Sequence, residues 1–295
     1  MKLLTVFTPT YNRAYILPQL YESLKRQTNK NFCWLIVDDG SSDNTSDLVE
    51  GWKSEGLIDI EYIYQQNGGK MRAHNTGVKN CKTELFVCVD SDDYLADNAV
   101  ELILSHSGEC INNQHISGIV AYRANQTDKK LLSTFNLNAK ESTLTGLYDK
   151  GFKGETSLVF KTDVLKNYLF PEIEGEKFIT EHFVYFQIDQ KYKMLILPQP
   201  LIVGEYLTDG YTKSLLKLKK NNPKGYIMYY DMLIKNIKSV TRKIRYATAL
   251  NSVLILSGTK SKNYTYQSGK FLRIITYPLA AIVCKKYKKQ LEKDK

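Results

Sequence analysis

The sequence predicts an α/β protein with a mainly parallel sheet, helices on both of its faces and a helical C-terminal extension. Three observations carry this expectation. Short apolar runs alternate with helical periodicity through the first hundred residues. The runs are apolar throughout rather than every second residue, as in strands covered on both faces. Each run also stops at residues that favour turns.

Leu3 to Thr8 is the first strand-like run; Pro9 follows it, then a helical pattern over 14–27 with Ile16, Leu17, Leu20 and Leu24 as its stripe. Residues 34–37 form a second run, stopped by Asp38-Asp39-Gly40-Ser41-Ser42, after which Asp43 or Asn44 caps a helix carrying Leu48, Val49 and Trp52. Ile60 to Tyr64 reads as a third strand, broken by Asn67-Gly68-Gly69 before a helix over 71–81. Residues 85–89 form a fourth, ending at Asp90-Ser91-Asp92-Asp93. Beyond it, 116–123 and 157–160 are expected strands, 161–168 and 181–191 helices, and 195–197 and 201–206 closing strands. After Lys213 only helical spacing of Lys, Tyr, Ile and Leu remains. The expected domains are 1–212, with halves 1–105 and 106–212, and a basic extension 213–295.

The 295 residues are 43% hydrophobic and 24% charged, which excludes disorder and low-complexity architecture. The five cysteines form no CxxC, so reduced thiols are expected rather than a disulfide framework or zinc site. The first apolar run is too short for a secretory signal and no run reaches the roughly 18 residues of a spanning helix. A soluble or peripheral cytoplasmic protein is the expectation. The net charge of +10 is unevenly distributed: residues 1–212 hold 21 Lys and Arg against 28 Asp and Glu, and residues 213–295 hold 20 against 3. The basic character therefore belongs to one end.

Ligands of parallel sheets bind beyond the carboxyl ends of the strands. Those ends carry Thr8-Pro9-Thr10-Tyr11-Asn12-Arg13, Asp38-Asp39-Gly40-Ser41, Asn67-Gly68-Gly69-Lys70 and Asp90-Ser91-Asp92-Asp93. Three carboxylates within four residues repel one another, and their oxygens suit Mg²⁺ or Mn²⁺ bridging to a phosphate. Taken alone, the cluster reads equally as a solvated turn opening a helix. Asp39 can accept from a base N–H or act as a turn residue, Tyr11 can stack on a base or pack on the surface, and Lys70 can touch a phosphate without Walker spacing. No GxGxxG is present, which argues against dinucleotide-dependent redox chemistry.

The segments VFTPTYNRAYILPQLYESLKRQT, WLIVDDGSSDNT, NGGKMRAHNTGV and LFVCVDSDDYL together resemble the nucleotide-binding half of family 2 inverting glycosyltransferases. The resemblance is continuous over 3–105 and weaker to about 212. It implies the GT-A fold, with its Rossmann-like sheet, and a nucleotide-sugar donor, a UDP-sugar being favoured. By the resemblance, Pro9 and Tyr11 flank and stack on the base, Arg13 lies near the phosphates and Asp39 reads the base N–H. The donor site also takes in Thr8, Lys70, Asn75 and Ser91. Asp90-Ser91-Asp92 matches the family's Asp-x-Asp motif, with Asp90 toward ribose and metal and Asp92 the main ligand of Mn²⁺ or Mg²⁺. His74 stands where the family commonly has arginine. Glu181, in Glu181-His182, is the implied general base, where the family has a Glu-Asp pair; its alternative is a first-turn glutamate on a helix dipole.

The implied function is transfer of a sugar, with inversion, to a hydroxyl of a glycan or lipid-linked acceptor in cell-surface polysaccharide synthesis. A sugar-phosphate nucleotidyltransferase and a non-catalytic membrane- or polymer-binding protein are the competing readings. Residues 271–284 are largely apolar and Lys285-Lys286-Tyr287-Lys288-Lys289 follows, which suits a helix lying on anionic lipid or, alternatively, a packed helix with a basic tail. No nucleic-acid motif accompanies the charge, so no nucleic-acid partner is expected.

Overall fold

The computed structural model describes residues 2–125, 139–204 and 215–293. The chain forms two compact units, one of residues up to 170 with 184–204, the other of 171–183 with the C-terminal helices. Every described strand lies in the first unit.

Its elements run in chain order as β1 (Leu4–Thr10), α1 (Leu17–Lys25), β2 (Phe32–Asp38), α2 (Thr45–Glu55), β3 (Ile60–Tyr64), α3 (Lys70–Asn80), β4 (Leu85–Cys88) and β5 (Tyr94–Leu95). Then come α4 (Ala99–Ser105), α5 (Ser107–Asn112), β6 (Ile116–Asn125), β7 (Glu141–Ser142), α6 (Leu144–Asp149), β8 (Thr156–Lys161), α7 (Thr162–Lys166), α8 (His182–Asp189) and β9 (Lys193–Gly204). The described strands make one nine-stranded sheet ordered β3-β2-β1-β4-β8-β6-β9-β5, with β7 on β9. β3, β2, β1 and β4 are parallel. The direction changes at β4, which meets β8 antiparallel, while β6 and β9 run parallel to each other. The fold class read from the sequence holds, with its parallel character concentrated in the first four strands.

Alternation along β1 and β4 explains the two covered faces. Leu4, Val6, Trp34, Ile36, Leu85 and Val87 turn to a core shared with α1, α2, α4 and α5. There Tyr21, Trp34 and Trp52 stack with centroids 4.4–6.1 Å apart. Phe7 and Phe86 turn to the other face and stack at 5.1 Å against the side that α3 covers. Pro18 sits in the first turn of α1, where its missing N–H costs nothing, so the helix begins at Leu17 and Ile16 becomes its cap position. Pro198 and Pro200 do not divide β9 as the sequence suggested: the strand is continuous, and register shifts against Ala121–Arg123 absorb the prolines. The expected strand residues 205–206 lie outside the described residues.

The second unit holds α9 (Leu215–Asn221), α10 (Pro223–Asn236), α11 (Val240–Ser257) and α12 (Lys270–Lys293). Segment 171–183 is fastened to α10 by polar caps. Glu176 accepts from the N–H groups of Lys224 and Gly225 (2.7 and 2.9 Å) at the helix N-terminus, where a carboxylate is favoured. Asn222 Oδ1 accepts from the N–H groups of Lys177 and Phe178.

Candidate functional site

The carboxyl ends of the four parallel strands sit side by side, since Thr10 pairs with Asp38, Asp38 with Tyr64 and Phe7 with Cys88. The loops beyond them are built largely by their own hydrogen bonds. Asn12, with φ at 52°, donates its N–H to Ser41 Oγ (2.8 Å) and accepts at Oδ1 from Ser42 N–H (2.8 Å). Ala14 N–H donates to Asp43 (3.0 Å); burial opposes the Asp43 charge, but the Thr45 hydroxyl and the surrounding N–H groups hold its pKa below the usual range. Gly40 has a φ of 87°, and a Cβ there would lie 2.9 Å from the Asn67 nitrogen, so only glycine lets the second and third loops approach this closely.

Asp39 is 3% exposed, and its carboxylate accepts from Gln65 Nε2 (2.7 Å), Gly68 N–H (2.9 Å) and Gly69 N–H (2.7 Å). One of its roughly four acceptor directions is therefore left. Asn75 is equally committed, its amide pairing in both directions with the backbone of Phe170 (2.8 and 2.9 Å). Thr8 is fully buried and its hydroxyl accepts from the Trp34 indole (2.9 Å), so it supports the sheet rather than touching a ligand. Pro9 and Ser91 are buried as well. Tyr11 is open to solvent, 49% exposed, at the first strand end. The Arg13 guanidinium lies 5.8 Å from the ring of Tyr15, an exposed aromatic on the same loop to which the motif reading gave no role.

The acidic turn is the electrostatic centre. Asp90, Asp92 and Asp93 each offer an oxygen, all within 4.8 Å of one another, and no other such group of metal-type ligands occurs among the described residues. Lys70 Nζ stands 2.8 Å from both oxygens of Asp90. Burial opposes the Asp90 charge, yet Lys70, with Arg123 and His74, brings its pKa below the usual value. Asp93 is buried and pairs with Arg123 at 2.6 Å, while Arg123 also reaches Glu155 at 3.1 Å. A Cβ on Gly204 would fall 1.8 Å from Asp93 Oδ1, so the end of β9 must be glycine for this pair to form. Asp92 makes no ion pair among the described residues, and burial followed by the charge of Asp90 pushes its pKa up. Burial likewise pushes the Asp93 pKa up to about 8 in spite of Arg123. Hard oxygen ligands crowded in this way fit a Mg²⁺- or Mn²⁺-type cation held by Asp90 and Asp92.

His74 lies beneath this turn. It is 7% exposed, meets the rings of Phe7, Phe86 and Phe170 edge-on at 5.2–5.6 Å, and its Nδ1 has no hydrogen-bond partner. Burial, then the charge of Lys70, pulls its pKa down to about 3, so the imidazole is neutral at pH 7. Arg123 and His74 are the two residues here whose roles the motifs did not reveal.

Glu181 belongs to the second unit, half-buried on the turn that opens α8. Beside it, His182 Nδ1 lies 3.1 Å from the Tyr229 hydroxyl. Asp189, the other carboxylate of that helix, is occupied by the N–H groups of Leu144 and Thr145 (2.9 and 2.6 Å).

Residues 5–169 match the model of glycosyl transferase family 2. An uncharacterized glycosyltransferase of Rickettsia bellii is 31% identical over 132 residues, 45% of this chain and 18% of that protein. Glycosyltransferase GlyG of Streptococcus pneumoniae is 32% identical over 103 residues, 35% of this chain and 34% of its own length. The matching stretches thus span 18% and 34% of these two relatives. Among solved structures, S. aureus TarS 1-349 in complex with UDP-GlcNAc superimposes with a TM-score of 0.63 at 20% identity, covering 89% of this chain and 74% of that one. Mannosyltransferase PcManGT from Pyrobaculum calidifontis, in complex with GDP-Man and Mn²⁺, gives 0.57 at 16% identity, covering 95% and 86%. Both likenesses show the fold, the GT-A architecture expected from the sequence. With more than half of its length matched by one family model, the chain belongs to glycosyl transferase family 2.

Proposed function

We propose that the protein transfers a sugar from a nucleotide-sugar donor, a UDP-sugar in the first instance, to a hydroxyl of a glycan or lipid-linked acceptor in cell-surface polysaccharide synthesis. The observation that carries this reading is Asp92, the carboxylate of the strand-end turn that makes no ion pair among the described residues and whose pKa is pushed up by burial and Asp90 despite the charges of Arg13 and Lys70. Asp90 and Asp92 would hold a divalent ion there, which would supply charge neutralisation for the departing nucleoside diphosphate. The donors bound by TarS and PcManGT, UDP-GlcNAc and GDP-Man with Mn²⁺, support a nucleotide sugar and a metal of this class.

The chain's own residues divide the remaining work. Tyr11 offers its open ring to the base, and Asp39 offers its last acceptor direction to a base N–H. Arg13 and Lys70 face the phosphates. Glu181 accepts the proton of the acceptor hydroxyl as that oxygen attacks the anomeric carbon from the side opposite the leaving group, so that one displacement inverts the centre. Residues 1–212 form the catalytic part in this reading and 213–295 an extension that holds the enzyme at the cytoplasmic face of the membrane.

The test is release of nucleoside diphosphate from a panel of UDP- and GDP-sugars, with Mn²⁺, with EDTA, and with the Asp92→Asn variant. Acceptor-dependent diphosphate release is expected, abolished by EDTA and lowered by roughly two orders of magnitude or more in the variant. Release of pyrophosphate in place of diphosphate would assign a nucleotidyltransferase, and unchanged metal-dependent turnover in the variant would remove Asp92 from the site.

A further inference from the structure

Helix α12 is amphipathic in the inverted sense. A helix that caps a soluble unit turns its large apolar residues inward. Here the buried side carries Arg273, Thr276, Ala280 and Cys284, at three- and four-residue spacing. That side is locked to α11 by polar contacts: Asn251 Nδ2 donates to the Arg273 carbonyl (2.7 Å) and to Thr276 Oγ1 (3.1 Å), and Cys284 Sγ lies 3.5 Å from the Ser252 carbonyl. The opposite side carries Phe271 (72% exposed), Ile274 (69%), Ile275 (47%), Leu279 (50%) and Ile282 (67%). At 3.6 residues per turn these five fall on one stripe. Lys270 stands exposed before the stripe, and Lys285 and Lys286 are exposed directly after it.

We infer that this stripe is a docking surface for an anionic lipid bilayer, with α12 lying in the plane of the interface. A contiguous apolar stripe of this kind marks an interaction site, and the charge around it selects the occupant. Residues 213–295 carry 20 Lys and Arg against 3 Asp and Glu, so a second copy laid on the same face would bring like charges together, whereas anionic headgroups complement them. Among the described residues no helix is long and apolar enough to cross a membrane. The apolar side of an in-plane helix enters only about 5–10 Å, a depth that side chains of this size reach. The inference rests on α12 alone and is independent of the transfer reaction.

Deleting α12 would uncover α11, so the test uses substitutions on the exposed stripe of the full chain. Flotation is measured with vesicles of pure phosphatidylcholine and with vesicles in which a third of the lipid is phosphatidylglycerol. The wild-type protein is expected to float with the anionic vesicles and to be only partly released as salt approaches 1 M, where the Debye length is about 3 Å. Ile274→Glu with Ile282→Glu should cut partitioning roughly tenfold or more and abolish the salt-resistant fraction. Lys285→Glu with Lys286→Glu should remove the salt-sensitive fraction, and both variants should keep the wild-type melting temperature and donor turnover. Failure of the wild-type protein to float, or equal flotation of the Ile274/Ile282 variant, overturns the inference. So does a wild-type dimer that this variant converts to monomer, which would assign the stripe to a second copy of the chain.

Discussion

Acidification from pH 8 to pH 5 should destabilise the first unit through His74, and a His74→Phe variant should escape that part of the loss. The imidazole sits among Phe7, Phe86 and Phe170 with Nδ1 unbonded, and its pKa in the folded chain is about 3 against 6.5 in a solvated histidine. Burial causes most of this depression; Lys70, one turn earlier on α3, adds to it, and Asp90 offsets only part. Between these two values the unfolded chain binds a proton that the folded chain refuses. Stability is then complete above about pH 6.5 and declines as the pH falls toward 3. The slope approaches about 1.4 kcal/mol per pH unit, so the loss through His74 is about 2 kcal/mol between pH 8 and pH 5. Phenylalanine is larger and shifts the absolute stability through packing, but that shift is the same at both pH values.

Urea unfolding followed by tryptophan fluorescence measures this directly. Trp34 and Trp52 are the only tryptophans in the sequence, and both are buried in the unit that contains His74. The quantity read is the difference in unfolding free energy between the two pH values, compared between wild type and variant. All other titrating groups are shared, so they cancel. Parallel losses in the two proteins would refute the reasoning and place the His74 pKa near its solvated value.

Two further outcomes follow from the site. Asp39→Asn replaces one of two accepting oxygens with a donor, leaving a buried glycine N–H unpaired. It should cost about 1–3 kcal/mol and raise the donor KM, measured by thermal unfolding and by initial rates; wild-type stability would show that the 68–69 backbone does not depend on this carboxylate. Glu181→Gln should leave donor affinity unchanged and lower the transfer rate by about two to four orders of magnitude. Undiminished turnover at saturating acceptor would assign the base elsewhere.

The parallel half of the sheet was legible because β1, β2 and β4 are apolar on both faces and each strand ends in turn chemistry that one window of sequence displays. The short strands β5 and β7 were not, since two residues carry no periodicity and exist as strands only through their pairing with β9. β9 was read as two pieces because proline normally interrupts a ladder; the register shifts that accommodate Pro198 and Pro200 depend on β6, more than seventy residues away. The acidic turn was visible as a cluster, but the division of labour inside it was not. Arg123 lies 30 residues from Asp93 with no local signal linking them. The Asn75 amide is spent on Phe170 across 95 residues. His74 reads locally as a polar helix residue near a phosphate-type loop, and its burial is decided by phenylalanines from two strands and a distant turn.

These long-range pairings sort the motif residues by what they can still bind. Asn75, Thr8 and Asp93 are consumed by the protein itself and Asp39 keeps one acceptor direction: they accept backbone N–H groups, an indole N–H or a guanidinium, and they hold four loops in fixed positions. Such buried bonds are costly to break, so they supply rigidity in advance of any ligand. Tyr11, Arg13 and Asp92 differ in being accessible, and Asp92 makes no ion pair among the described residues, the charges of Arg13 and Lys70 offsetting burial and Asp90 only in part. Lys70 is intermediate: its ammonium spans both oxygens of Asp90, and a phosphate nearby would compete for it, while a cation shared by Asp90 and Asp92 would take over its compensating role. In the proposed reaction an anionic donor and a divalent cation would satisfy the acidic turn together: Asp90 and Asp92 would hold the cation, and Lys70 would be released to a phosphate. Either one arriving alone would leave a charge in this half-buried turn without its partner, so the proposed function predicts that donor affinity itself, measured by titration with Mn²⁺ and with EDTA, depends on the metal; equal affinity in the two would refute this coupling.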